Sequence, residues 1–158
     1  MISVARSFRA WCVVLSLFSG AAAPLSGSVL AAGFTFAAFG DTPYNAEEEQ
    51  RFIGIIAELN REQLAFVVHV GDFQAAIARC SAELFLQRKE WFELTHHAFV
   101  FVPGDNEWTD CHRSGSVPVE RLAKGRELAF SKPGTSLGKT TMHVESQATA
   151  MPKFATFV

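Results

Sequence analysis

Three times in this chain an apolar, β-like run stops at Gly-Asp: FTFAAFGD at 34–41, AFVVHVGD at 65–72 and FVFVPGD at 99–105. The chain holds four Asp, and Asp41, Asp72 and Asp105 are the three that follow Gly. The Phe- and Val-rich runs have the two-residue period of strands, over about 34–39, 64–70 and 98–102. The segments between them are patterned as helices. Residues 46–62 place Glu47, Glu48 and Glu49 in a first turn, where they suit the helix dipole, and bring Phe52, Ile55, Ile56 and Leu59 onto one side. Residues 81–97 begin at a Ser81 cap, and residues 118–130 begin with Pro118 in the first turn. Strand, helix, strand, helix, strand implies an α/β fold, a parallel or mixed sheet wound by crossover helices. The carboxyl ends of such strands share one edge, where open α/β sheets bind ligands. Three carboxylates remote in sequence should therefore meet there, each preceded by a Gly whose missing β-carbon permits the turn.

The sheet does not begin at Met1. Arg6 and Arg9 precede an apolar run from Trp11 to Ala23, followed by small residues around Val29-Leu30-Ala31. That is the anatomy of a secretory signal peptide over 1–31, with cleavage near Ala31 and export to a periplasmic or secreted location. Ser16, Ser19, Gly20 and Pro24 interrupt the run too often for a stable membrane anchor. Cys12 would leave with the leader. Cys80 and Cys111 remain, an even count in an oxidising compartment, where a disulfide joining two Gly-Asp loops is the default. Two buried thiols or metal ligation are the alternatives, and the spacing lacks the close pairs of a zinc site. A net charge of −2 carries no basic excess, so nucleic acid is not an expected partner.

Carboxylates converging without a Lys or Arg in the motif repel one another unless a cation neutralises them. A divalent ion does this, and two ions sharing a carboxylate can clamp a phosphate and activate a water. The ordinary alternative for any single Gly-Asp is a turn or a helix cap. At these residues the chain resembles the calcineurin-like metallophosphoesterases: GDTPY is similar to their first acidic turn, HVGDFQ to the second and PGDNEW to the third. The resemblance covers about residues 34–113. It implies the first half of a four-layer αββα sandwich and a site with two divalent metal ions (Mn, Fe, Mg or Zn). Asp41 would hold one metal, Asp72 would bridge both, and Asp105 would take the second, with Asn106 as an alternative ligand. The substrate would be a small phosphate ester, a phosphomonoester or phosphodiester, hydrolysed by a metal-activated water.

The departures from that pattern are specific. Pro43 stands where the first turn has a His, and Asn106 stands where the family has the His that assists leaving-group protonation. An amide is no general acid. His112 could supply the missing acid, or bind a phosphate oxygen with Arg113, or simply face solvent. The family's later His blocks have no counterpart, and His143 stands alone. His69 inside its strand is expected as a hydrogen-bonded core residue, and His96 and His97 as helix-end residues suited to the dipole. Glu107 could orient a ligand or face water, and Trp108 is expected to pack the loop. An aspartyl-phosphate enzyme would need a second Asp at position 43, which is Pro. A non-catalytic exported protein that keeps the scaffold and at most one cation is the competing reading. After Phe130 the pattern becomes loop-like until the apolar 154–158 run, which looks like a strand cut short. Residues 32–158 are thus expected to be a partial domain, with one sheet face lacking its cover.

Overall fold

The computed structural model describes residues 33–147. The expected leader over 1–31 and the apolar run at 154–158 lie outside the described residues. The elements, in order, are β1 (Ala37–Phe39), α1 (Ala46–Leu59), β2 (Phe66–His69), α2 (Ala82–Phe92), β3 (Ala98–Phe101), a 3-10 helix (Thr109–Ser114) and α3 (Pro118–Ala129). The strands form one sheet in the order β1-β2-β3, parallel throughout. This is the α/β class that the alternating pattern implies.

Local chemistry sets where the helices begin. Asn45 caps α1 by accepting the Glu48 N–H at 3.0 Å, and Glu48 reaches back to the Tyr44 N–H at 2.7 Å. This reciprocal pairing satisfies donors that a helix start otherwise leaves open. Ser81 caps α2 through the Leu84 N–H at 3.1 Å. Pro118 opens α3, where its missing N–H costs nothing.

Register then divides the sheet into two faces. Ala37, Val67 and Phe99 lie level across the strands, as do Phe39, His69 and Phe101. These two rows face Phe52 and Ile56 of α1 and Phe92 of α2, and Val67, Phe52, Phe92, Phe99 and Phe101 are all buried. Each such side chain contributes about 1.5–3 kcal/mol by leaving water. Because side chains alternate along a strand, the intervening residues point the other way. On that face Phe36 stacks on Phe66 with ring centres 5.0 Å apart, and Phe34 is 67% exposed.

Two expected boundaries change. The second helix stops at Phe92, capped by Glu93, so His96 and His97 lie in the following loop rather than at its end. There the His97 ring meets the Leu59 carbonyl at 3.0 Å, at the carboxyl end of α1, and the His96 N–H donates to Asn60 Oδ1 at 2.7 Å. The expected loop after Phe130 is partly paired. Leu137 and Phe99 exchange two backbone hydrogen bonds in an antiparallel bridge on the outer edge of β3, and Thr135 bridges His143.

Candidate functional site

Asp41 and Asp72 follow β1 and β2, and both adopt the left-handed backbone, at φ 60° and 57°. That conformation is uncommon outside Gly, though Asp tolerates it better than most residues. Its appearance at equivalent positions of two neighbouring turns is the kind of local strain that collects at functional sites. The turns touch directly: the Asp41 N–H donates to the Gly71 carbonyl at 3.0 Å, and the Asn106 N–H donates to Asp72 Oδ1 at 3.1 Å. The glycines allow this approach. Gly71 is left-handed itself, at φ 94°, while a β-carbon at Gly104 would collide with the Asp72 carboxylate. Asp105 stands next to Asp72, and their side chains interact. Burial raises the Asp72 carboxyl above its ordinary range; the Asn106 N–H opposes this, and the Asp105 and Asp41 carboxylates add to it.

Behind the carboxylates is a layer of buried polar groups. Glu107 is 4% exposed and accepts three backbone N–H groups, from Asp72 at 2.9 Å, Phe73 at 2.8 Å and Gly104 at 2.7 Å. Glu107 therefore does not face water; it holds the backbones of the second and third loops. Burial pushes its carboxyl up to about 7, against the pull of those three donors. Gln74 and Asn106 are tied reciprocally: Gln74 Nε2 donates to the Asn106 carbonyl at 2.6 Å, and Asn106 Nδ2 donates to the Gln74 carbonyl at 2.9 Å. Beneath them Cys80 and Cys111 form a disulfide, with Cα atoms 5.6 Å apart, which joins the second and third loops. Both cysteines are buried, and Gln74 Nε2 lies 2.9 Å from the Cys80 sulfur.

Tyr44 completes the edge. Its hydroxyl donates to Asp41 Oδ1 and lies 3.4 Å from Asn106 Nδ2, bridging the first and third turns. Burial, the hydrogen bond to Asp41 and then the nearby carboxylates hold the phenol above its usual range, so it stays protonated. Both donor directions of the Asn106 amide thus end on protein oxygens, while its Oδ1 accepts no hydrogen bond among the described residues.

No hydrogen bond or ion pair among the described residues joins the remaining candidates to the side chains of Asp41, Asp72 or Asp105. His112 is exposed, and its Nδ1 is engaged by the Thr109 carbonyl at 2.8 Å within the 3-10 helix. Arg113 pairs with the buried Asp110 at 3.2 Å. His69 is fully buried: its Nδ1 accepts the Gly71 N–H at 3.2 Å and its Nε2 lies 3.1 Å from the Thr42 carbonyl, so it ties the first two turns together from below. Burial lowers its pKa to about 4. His143 bonds the Gly134 carbonyl in the paired segment beyond α3. Trp108 is half-buried in the third loop.

The donor chemistry of the edge fits a hard divalent cation. The available atoms are carboxylate and amide oxygens, Asp72 is crowded by like charge, and no ion pair among the described residues engages Asp41, Asp72 or Asp105. The arrangement is not a finished cage. Among the described residues no group of three or more His, Cys, Asp or Glu stands at metal-binding spacing. Two participants escaped the sequence reading, Tyr44 and Gln74. The signal for Tyr44 is its place three residues after Asp41 and just before a cap; Gln74 carries none that a strand-and-turn pattern reveals. No protein-family model, curated protein or solved structure matches the chain.

Proposed function

We propose that this edge is the acidic part of a metal-dependent phosphoesterase site of the calcineurin-like kind, carried on an exported protein and acting on a small phosphate ester. The observation that carries the reading is the juxtaposition of Asp72 with Asp105 at paired strand ends, with no ion pair to either among the described residues. Asp41 would hold one divalent ion, Asp72 would bridge to a second, and Asp105 with Asn106 Oδ1 would complete the second ion's protein ligands. Bound ions of this type polarise a phosphoryl oxygen and lower the pKa of a coordinated water.

The chain's own contribution is orientation. Glu107 fixes the backbone of the second and third turns, His69 links the first two, and the disulfide restrains the third. Asn106 cannot protonate a leaving group, since an amide is no acid near neutral pH. His112, exposed and held through Nδ1 to the Thr109 carbonyl, would serve that role through its Nε2. Export accords with a disulfide between the two remaining cysteines. The exposed Phe34, Val70 and Val102, at 67%, 58% and 44%, favour a further layer over the second sheet face, as in a four-layer sandwich.

The test is hydrolysis of 4-nitrophenyl phosphate with Mn²⁺, Mg²⁺, Fe²⁺ or Zn²⁺ added in turn. Metal-dependent turnover that disappears in Asp72→Asn is expected, and absence of turnover with every metal opposes the reading. A second reading, a scaffold that retains at most one cation without catalysis, is favoured by the open ligand cage and by the lack, among the described residues, of a hydrogen bond between His112 and the three carboxylates. It predicts metal uptake without hydrolysis.

A further inference from the structure

We propose that the Tyr44 hydroxyl is the group that binds a phosphoryl oxygen of the substrate; this rests on the metal-site reading given above. A phosphate brought to a carboxylate-rich edge needs hydrogen-bond donors as well as cations. Among the described residues, the side chains of the three acidic turns supply few of them. Asp41, Asp72, Asp105 and Glu107 offer only acceptors when ionised. The two hydrogens of the Asn106 amide are directed to the Gln74 carbonyl and toward Tyr44. Arg113 is paired with Asp110, and His112 Nδ1 is engaged by its own helix. Among the described residues, Tyr44 combines an O–H, direct contact with the Asp41 carboxylate and access to solvent at 37% exposure.

Its placement is also stiff. The backbone N–H of Tyr44 is held by Glu48 at 2.7 Å, the following residue caps α1, and the preceding Pro43 is fully buried. The phenol therefore projects from a fixed point between the first and third turns. A side chain so held loses little freedom when it takes up a ligand. The hydroxyl donates to Asp41 Oδ1; with the charge of Asp41 engaged by a cation, as proposed above, that hydrogen would turn to a phosphoryl oxygen, an anionic acceptor.

The test is calorimetry on the whole chain and on Tyr44→Phe, which removes only the hydroxyl. Mn²⁺ is titrated first, then inorganic phosphate into the Mn²⁺-loaded protein, with melting curves confirming that both variants fold. The proposal expects Mn²⁺ affinity unchanged within about twofold and phosphate affinity weakened about tenfold or more, the effect of one hydrogen bond to a charged group. Equal phosphate affinity in the two proteins overturns it and leaves the metal site standing. So does a parallel loss of Mn²⁺ binding in Tyr44→Phe, which would make Tyr44 a tether for Asp41. A wild-type chain that takes up no Mn²⁺ removes the metal-site reading and this inference together.

Discussion

Glu107 and Asp72, 35 residues apart in sequence, are joined where the buried Glu107 carboxylate accepts the Asp72 backbone N–H at 2.9 Å. The same carboxylate holds the N–H groups of Phe73 and Gly104, so one side chain fixes the backbones of two strand-end turns. An amide in its place has one acceptor oxygen and two donors, leaving at least one buried N–H facing another donor. Glu107→Gln is expected to destabilise the fold by about 1–3 kcal/mol in urea unfolding and to weaken Mn²⁺ binding. Glu107→Ala should cost at least as much. A melt indistinguishable from wild type would remove the clamp.

The alternation of Phe- and Val-rich runs with amphipathic segments made three strands and three helices legible, because both periods are local properties of the chain. The repeated Gly-Asp identified the edge for the same reason. Tertiary contacts were not legible. The second helix ends at Phe92 although apolar residues continue, and His97 meets the carboxyl end of α1 rather than of its own helix. Leu137 joins the outer edge of β3 from a segment whose Ser, Thr and Gly suggest only loop. The dual bonding of Tyr44 and the Gln74–Asn106 exchange depend on chain segments about 30 to 60 residues apart. The disulfide was legible from the two cysteines left after the expected leader and from their placement behind two Gly-Asp turns, but its burial beneath Gln74 was not.

The response to acid should follow His69. Its neutral form, with a proton on Nε2 toward Thr42 and a lone pair on Nδ1 toward the Gly71 N–H, is the one that the core holds. Burial lowers the pKa from 6.5 to about 4, so this group's stabilising contribution is present above pH 6.5 and is lost as pH falls toward 4. At about 1.4 kcal/mol per pH unit the loss is roughly 3 kcal/mol. Glu107 acts in the opposite sense: its carboxyl is raised from 4.5 to about 7, so its contribution is present below 4.5 and is lost as pH rises through 7. Urea unfolding across pH 4–8 should therefore show the acid limb flatten in His69→Gln and the neutral limb flatten in Glu107→Gln. Unchanged profiles would contradict both assignments.

Cys80 and Cys111 close a loop across a sequence separation of 31 residues. A bridge of that span restricts the unfolded chain by about 3–4 kcal/mol in the loop-entropy view. The double variant Cys80→Ala, Cys111→Ala is expected to lose stability on this scale, and the native protein should resist alkylation until it is both reduced and unfolded. Quantitative alkylation of both thiols in unreduced protein would rule out the pairing.

The second face of the sheet should behave as a sticky surface. Phe34 and Val70, at 67% and 58% exposure, are apolar groups that the described chain leaves in water. Phe34→Ser with Val70→Thr is expected to lower binding of a hydrophobic dye and light scattering, while shifting stability by no more than about 0.5 kcal/mol. A large loss of stability would mean that these side chains are covered by something other than solvent.

The most direct measurement is Mn²⁺ binding by calorimetry to the wild-type chain, Asp72→Asn and Asp110→Asn. Asp72 sits between the first and third turns, whereas the Asp110 carboxylate is paired with Arg113. The metal-site reading predicts that wild type binds, that Asp72→Asn loses more than about tenfold in affinity while remaining folded, and that Asp110→Asn stays close to wild type. No binding by wild type, or equal losses from the two substitutions, would contradict it.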